Sequence, residues 1–294
     1  MRALWSGATG ADSQGSRLTL LRPRTLDEAL AARADRPDAL VVAGGTGVLP
    51  WLTEGLEPPA LLDLSAVAGL RDVTRDGDVV VLGAGVTYTQ VIEDLDGVLP
   101  GLAAAARTIA GRQVRNRATL AGALVLADPS GDTLAALVAA RAEVELAGAA
   151  GARRVAVEDF VIAAGRCALG PGELVVALRV PVADGPTAYA KAGARNAMAR
   201  AVCGVAVALH PARRTLTAGV VGAAAHPVVP HAAEELVARR WGALDDGAVT
   251  AFGALVAEAV DDPIADVRGS GAYRRHLAGV LAARALRRAW EDLP

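Results

Sequence analysis

The chain has 294 residues, 53% hydrophobic, 21% charged and only 3% aromatic, with 30 Lys and Arg against 32 Asp and Glu for a net charge of −2. That length suggests one large or two modest domains with ample core, while the charge balance excludes the basic face of a nucleic-acid binder and the apolar content excludes disorder. Only one basic residue is a lysine, Lys191 between Ala190 and Ala192, so the Gly-Lys-Ser/Thr step of a phosphate loop is absent.

Residues 1–16 carry Ser, Gly and Asp where a signal peptide would place an apolar core, and are expected to form a flexible extension of a cytoplasmic protein. Thr25–Ala34 places a Thr cap before Asp27 and Glu28 and reads as a short helix. Ala39–Val42 is a strand stopped by Gly44 and Gly45. Leu61–Leu64 and Val79–Leu82 repeat the pattern, the latter entering Gly83-Ala84-Gly85. Gly101–Ala110 is helical, Val114–Ala127 is apolar around Gly122, and Thr133–Arg141 is a helix. A strand at Ala142–Leu146, a polar turn around Gly151–Arg153 and a strand at Glu173–Val180 follow. Ala183–Pro186 is the expected domain boundary. Beyond it come apolar segments at Asn196–Ala208 and Leu216–Val221, then amphipathic helices at Ala232–Arg239, Thr250–Val260 and Tyr273–Arg288 with Arg facing outward. Asp128, Asp132, Arg141 and Arg200 break the longest apolar stretches, so no membrane span is expected. Strands followed by helices suggest an α+β chain in two units.

Two loops carry candidate chemistry. Val41-Val42-Ala43-Gly44-Gly45-Thr46-Gly47-Val48 places three glycines directly after a strand, where residues lacking Cβ let backbone N–H groups converge on an anion. A tight turn explains the same glycines, and neither this loop nor Gly83–Tyr88 fits the GxGxxG dinucleotide fingerprint. The second candidate, Arg115–Ala123 with Ala127–Asp132, combines the Thr119 hydroxyl, Gly122 and a carboxylate at Asp132. That carboxylate suits sugar hydroxyls, and it equally suits the N-cap of the helix that follows.

The blocks AGGTGVLP, LGAGVT, RQVRNRATLAGALVLADPSGD, GPGELVVALRVP, AYAKAGAR and PIADVRGSGAYRRHLAGVLAARAL occur in this order. Together they resemble the FAD-binding medium subunit of the molybdenum hydroxylases, the family of the carbon monoxide, xanthine and nicotinate dehydrogenases. The likeness spans about residues 17 to 290, and its last block, with Pro263, Asp266, Arg268, Ser270, Tyr273 and Arg274, is too long for coincidence. The resemblance implies an α+β fold in which a two-subdomain FAD-binding domain of the vanillyl-alcohol-oxidase (PCMH) type, residues 17–182, precedes a smaller α+β C-terminal domain, residues 183–294. Carried over residue by residue, it implies an FAD pyrophosphate held by Val41, Val42, Ala43, Gly44, Gly45, Thr46, Gly47 and Val48 and by a second loop keeping Thr119, Gly122 and Ala123. It also places Asp132 at the cofactor, Val175 on a strand beside the flavin and Ile109 before the second loop near the ring. Lys191 falls on the Lys of an FxKxxxR-like segment with Arg195 following, where a cation would favour negative charge on the ring.

Three departures stand out. The Gly-Gly-Asn of the second loop is Ala121-Gly122-Ala123, Gly47 replaces a residue that is polar or acidic in relatives, and Cys167 replaces a Thr. Each lost side-chain hydrogen bond would cost on the order of 1 kcal/mol.

The resemblance implies an electron-transfer subunit of a molybdopterin-dependent dehydrogenase. An iron–sulfur small subunit with [2Fe–2S] clusters would deliver electrons, a molybdopterin large subunit would oxidise the substrate, and the whole would assemble as a dimer of heterotrimers. The two cysteines, Cys167 and Cys203, cannot ligate such clusters here. No catalytic side chain and no metal ligands are assigned, because His210, His226, His231 and His276 are scattered. Trp51 and Tyr88 read as core packing, and the Arg274-Arg275 pair as a solvated or interface face. Alternatives are a stand-alone flavoprotein oxidoreductase and a non-redox scaffold of the same fold.

Overall fold

The structure, a computed structural model, describes residues 18–195 and 198–293. The extension expected at 1–16 and the first residues of the segment expected at Asn196–Ala208 lie outside them. The opening helix forms as its local chemistry dictates, with the Thr25 hydroxyl accepting from the Glu28 N–H at the N-cap. The first unit contains β1 (Thr19–Leu21), α1 (Leu26–Asp35), β2 (Leu40–Val42), α2 (Leu49–Thr53) and β3 (Ala60–Asp63). Its strands form a parallel sheet in the order β1-β3-β2, so the turn after β2 and Asp63 at the end of β3 share the carboxyl edge.

The chain continues through β4 (Val73–Asp76), β5 (Val79–Gly83), α3 (Tyr88–Asp94), α4 (Pro100–Arg107), α5 (Arg112–Arg115), α6 (Leu120–Val125) and α7 (Asp132–Ala139). Next come β6 (Glu143–Gly148), β7 (Gly151–Ala156), α8 (Val157–Phe160), β8 (Val161–Ala163), β9 (Arg166–Cys167) and β10 (Leu174–Pro181). These build a five-stranded antiparallel sheet, β4-β5-β10-β6-β7. The residues expected as a polar turn at Gly151–Arg153 are the start of edge strand β7. Its side chains are mostly exposed, so no apolar alternation marks it, and it is held by cross-strand pairing to β6 and by a bidentate Arg153–Glu173 ion pair.

The last unit is an antiparallel meander of β11 (Thr187–Gly193), β12 (Ala201–His210) and β13 (Thr215–Val221), followed by α9 (His231–Arg240), α10 (Asp246–Ala259) and α11 (Gly271–Glu291). β12 is buried on both faces. Cys203, Val205, Val207 and Leu209 join the core against the last three helices, while Ala206 joins the core of the preceding units. The meander is therefore a shared wall, which explains why its sequence is an unbroken apolar run. α7 lies on this wall at close range: a Cβ on Gly219 would stand 2.6 Å from the Ala135 carbonyl oxygen, so only glycine fits there.

Arg274 corrects the outward-facing assignment for the last helix, because its side chain is fully buried. Its guanidinium donates to the Val202 and Gly222 carbonyls, each at 2.6 Å, and to the Asp266 carboxylate. Arg275 donates to the Val260 and Asp261 carbonyls. The final sequence block is thus an anchor that ties the 263–270 loop and α11 to two strand ends. Burial pushes the Asp266 carboxyl up, but hydrogen bonds from Arg268 and Arg274 outweigh it and hold it at about 2.

Arg274→Met strands two carbonyls and a carboxylate, and is expected to lower unfolding free energy by about 3–5 kcal/mol in a urea titration. A loss below about 1 kcal/mol would show that the buried fork is dispensable. Because the folded-state value of Asp266 lies below its ordinary 3.8, its contribution is present above pH 4 and is lost as pH falls towards 2. Asp266→Asn should flatten that limb of the stability profile.

Candidate functional site

The first glycine loop leaves β2 at the carboxyl edge of the parallel sheet and enters α2. Gly45 adopts φ +79°, and a Cβ there would lie 2.7 Å from the Leu49 side chain. A Cβ on Gly44 would lie 1.9 Å from the Arg117 carbonyl oxygen, and one on Gly47 would lie 2.3 Å from Leu126. Loop one is therefore pressed directly against the segment that carries the second loop. Among the described residues, none of the N–H groups from Gly44 through Val48 donates to a protein acceptor. Such a run of unpaired donors, partly shielded from water, has the chemistry to meet an anion.

The second loop is fixed from below. Tyr88 N–H donates to the Ala118 carbonyl and Leu120 N–H to the Val86 carbonyl, while Thr87 and Thr119 form a bridge. Thr119 then caps α6 by accepting from the Gly122 N–H at 3.0 Å. Ala121 is buried at 4% exposure, so its methyl fills the core and does not intrude on the cradle, and Ala123 also packs against that core. At Gly47, the second departure, a Cβ would require the Leu126 side chain to shift. Cys167 sits half-buried in β9 against the core, and burial raises its thiol.

Asp132 is the first residue of α7, whose N-cap is Gly131 with no side-chain cap. The N-cap reading of this carboxylate is thus replaced by long-range partners. Tyr189 Oη donates to Oδ1 at 2.5 Å, and Lys191 Nζ lies 3.1 Å from both oxygens. Lys191 also donates to the carbonyls of Ala199 at 3.0 Å and Thr108 at 3.3 Å. Tyr189 and Lys191 project from the same face of β11, being two residues apart. Gly204, across the sheet from Lys191, leaves room for the phenol: a Cβ there would stand 2.7 Å from Tyr189 Oη. Burial drives the Asp132 carboxyl above its ordinary value, and the hydrogen bond from Tyr189 and the Lys191 charge only partly offset this. Burial and the Asp132 charge together push the Tyr189 phenol well up.

The structure thus brings the predicted residues into two groups. Val41–Val48, Thr119 and Gly122 form one. Asp132 and Lys191 form the other, with Ile109 next to Thr108, whose carbonyl Lys191 binds. Tyr88 runs between them, since its N–H donates to the Ala118 carbonyl while its buried phenol lies beside Thr133, the neighbour of Asp132; burial lifts this phenol to about 12. Val175 is buried at a bulge of β10, beside Val176, whose carbonyl accepts from Ala84. Tyr189, Gly204 and the bonded role of Tyr88 went unread in the sequence. The signal for Tyr189 was its two-residue spacing from Lys191 once the segment is taken as a strand.

Residues 16–183 match the family described as the FAD binding domain in molybdopterin dehydrogenase, and residues 188–289 match the CO dehydrogenase flavoprotein C-terminal domain. The carbon monoxide dehydrogenase medium chain of Afipia carboxidovorans is 32% identical over 276 residues, covering 91% of this chain and 95% of that one. The glyceraldehyde dehydrogenase medium chain of Sulfolobus acidocaldarius is 30% identical, covering 91% and 96%. Among solved structures, a chain of the Cu,Mo-CO dehydrogenase superposes with a TM-score of 0.86 at 31% identity, covering 94% of this chain and 98% of its own.

Lys191→Met leaves Asp132 buried without its ammonium, and should cost on the order of 3 kcal/mol in urea unfolding. Adding Asp132→Asn should recover most of that loss, so strictly additive losses in the double-mutant cycle would refute the coupling.

Proposed function

The chain belongs to the FAD-binding medium subunits of the molybdenum hydroxylase family, flavoprotein oxidoreductases, and from this premise we propose that it works as an electron-transfer subunit. On this reading it accepts electrons from a [2Fe–2S] partner and passes them to an external acceptor, while a molybdopterin partner carries out the substrate oxidation. The relatives' description as medium chains and subunits of dehydrogenases supports the division of labour. No described helix is long and apolar enough to cross a membrane, and no group of three or more His, Cys, Asp or Glu among the described residues is placed to hold a metal.

The observation that carries the cofactor site is the run of free N–H groups from Gly44 to Val48, abutting the second loop through Gly44. A pyrophosphate fits that donor set, because every donor is an oriented backbone dipole that needs no side-chain rearrangement. FAD when bound supplies the redox chemistry. The chain's own residues bind and orient. Ala43–Val48 hold the anion, Thr119 and Gly122 keep the second loop at contact distance, and Val41 and Val42 anchor the first loop in the sheet. Ile109 and Val175 shape apolar walls. Asp132 and Lys191 form a paired charge, so the field at the ring is that of an ion pair and not of a lone cation.

The test is an absorption spectrum and redox titration of the purified chain. Flavin bands should appear on reconstitution with FAD, and Gly44→Val, which forces the loops apart, should weaken FAD binding by at least about tenfold, the worth of a lost charge-assisted contact. Absence of flavin binding by the wild type would remove the cofactor assignment. Turnover of a small molecule by the chain alone would instead replace the electron-transfer reading with that of a stand-alone flavoprotein. Lys191→Met should shift the flavin midpoint potential; an unchanged potential and affinity would take the lysine out of the cofactor site.

A further inference from the structure

The donors of the first loop are all neutral dipoles, whereas a pyrophosphate brings two negative charges. The cations near the loops are mostly engaged. Lys191 is held by Asp132, Arg115 by the carbonyls of Ile109 and Ala110, and Arg200 by Asp128. Arg117 differs. Its backbone carbonyl is the atom that abuts Gly44, its side chain is exposed, and its guanidinium makes no hydrogen bond or ion pair among the described residues.

The Arg117 backbone abuts the loop at Gly44, and its charge is felt at Asp63 on the same edge of the sheet. Asp63, paired with Val42 at the root of the loop, accepts from the Ser65 N–H and forms an ion pair with Arg22 at 3.2 Å, and its carboxyl also feels Arg117. Burial raises that carboxyl, but Ser65, Arg22 and Arg117 together outweigh it and hold it below the ordinary range. Arg22 takes the Asp63 carboxylate in an ion pair, and Arg117 acts on it only at a distance, so the charge of Arg117 is not consumed by a contact.

We infer that Arg117 is a binding residue for the FAD pyrophosphate, its guanidinium closing over the first glycine loop as the charged contact that the backbone donors lack. The inference rests on the two-loop cofactor reading above. A planar fork suits a phosphate's paired oxygens better than an ammonium does. An exposed arginine can also move onto the ligand without breaking an existing pair.

The test uses the full chain stripped of flavin and titrated with FAD, ADP and riboflavin at two ionic strengths. Arg117→Gln should weaken FAD and ADP binding by about tenfold, leave riboflavin binding unchanged and reduce the salt dependence of FAD affinity. Arg117→Lys should restore the salt dependence and part of the affinity, and the apoprotein melting temperature should not move in either variant. If the wild type binds FAD more tightly than riboflavin and Arg117→Gln binds FAD with unchanged affinity and salt dependence, Arg117 is not a pyrophosphate ligand and the loop reading survives. If the wild type binds FAD and riboflavin equally and ADP not at all, the loops do not read a pyrophosphate, and both inferences fall together.

Discussion

Helix α7 is gripped at both ends by a unit that follows it in the chain, and the geometry of the site depends on that grip. At its start, Asp132 is held by Tyr189 and Lys191 from β11. At its end, Thr217 donates to the Ala139 carbonyl, and Arg141 makes a bidentate pair with Glu234 at 2.6 and 2.7 Å. Between the two, Gly219 lets the helix backbone lie on β13. Asp132 precedes Thr133, which lies beside the Tyr88 phenol, and the Tyr88 N–H donates to the Ala118 carbonyl ahead of the second loop, so the meander is connected to the glycine loops through packed neighbours. The C-terminal unit thus helps to position the proposed cofactor site, although the glycine loops themselves come from the first units.

The chain has few aromatics, and its cores are built largely from Ala, Val and Leu. Small side chains let strands and helices approach closely, but they cannot satisfy the carbonyls left at strand and helix ends. Long cations do that work here. Arg274, Arg275, Arg115, Arg141 and Lys191 each donate to two main-chain carbonyls. A buried carbonyl left unpaired costs about 1–3 kcal/mol, so a guanidinium serving two of them and a carboxylate replaces several such losses at once. Arg274 shows the pattern most fully, because nothing else reaches Val202 and Gly222 from α11.

Local signals in the sequence were sufficient for much of the fold. The Thr25 cap, the β-branched runs of β2, β5 and β10 and the amphipathic C-terminal helices are each set by neighbours within a turn or a strand. β7 escaped because an exposed edge strand carries no apolar period, and β11 because its core-facing residues are alanines, which carry no β-branched signal. The glycine loops were legible, since the lack of Cβ is a property of single residues. The roles of Asp132 and Arg274 were not. Each sits where local rules predict a cap or a solvated face, and each is claimed by partners 52 to 72 positions away. A buried charge is decided by the fold's long-range contacts, which no window of sequence contains.

The two glycine loops on strands of the first units also show why glycine content alone does not locate an anion site. Gly83 and Gly85 are required, since a Cβ on either would come within 3 Å of the Leu70 carbonyl oxygen, at 2.4 and 2.9 Å. Yet their N–H groups donate to Asp72 and Leu70, Val86 donates back to Gly83, and Thr87 is closed by Gln90 in a capping box. That loop has used its donors in its own turn and can offer none to a ligand. Gly44, Gly45 and Gly47 serve close approach equally, to Arg117, Leu49 and Leu126, but their turn closes only through the Leu49 N–H to the Gly45 carbonyl. The donors before Leu49 therefore remain free. What separates the proposed binding loop from the packing loop in this chain is the number of unsatisfied N–H groups that its turn leaves behind, and glycine is the means by which both reach that geometry.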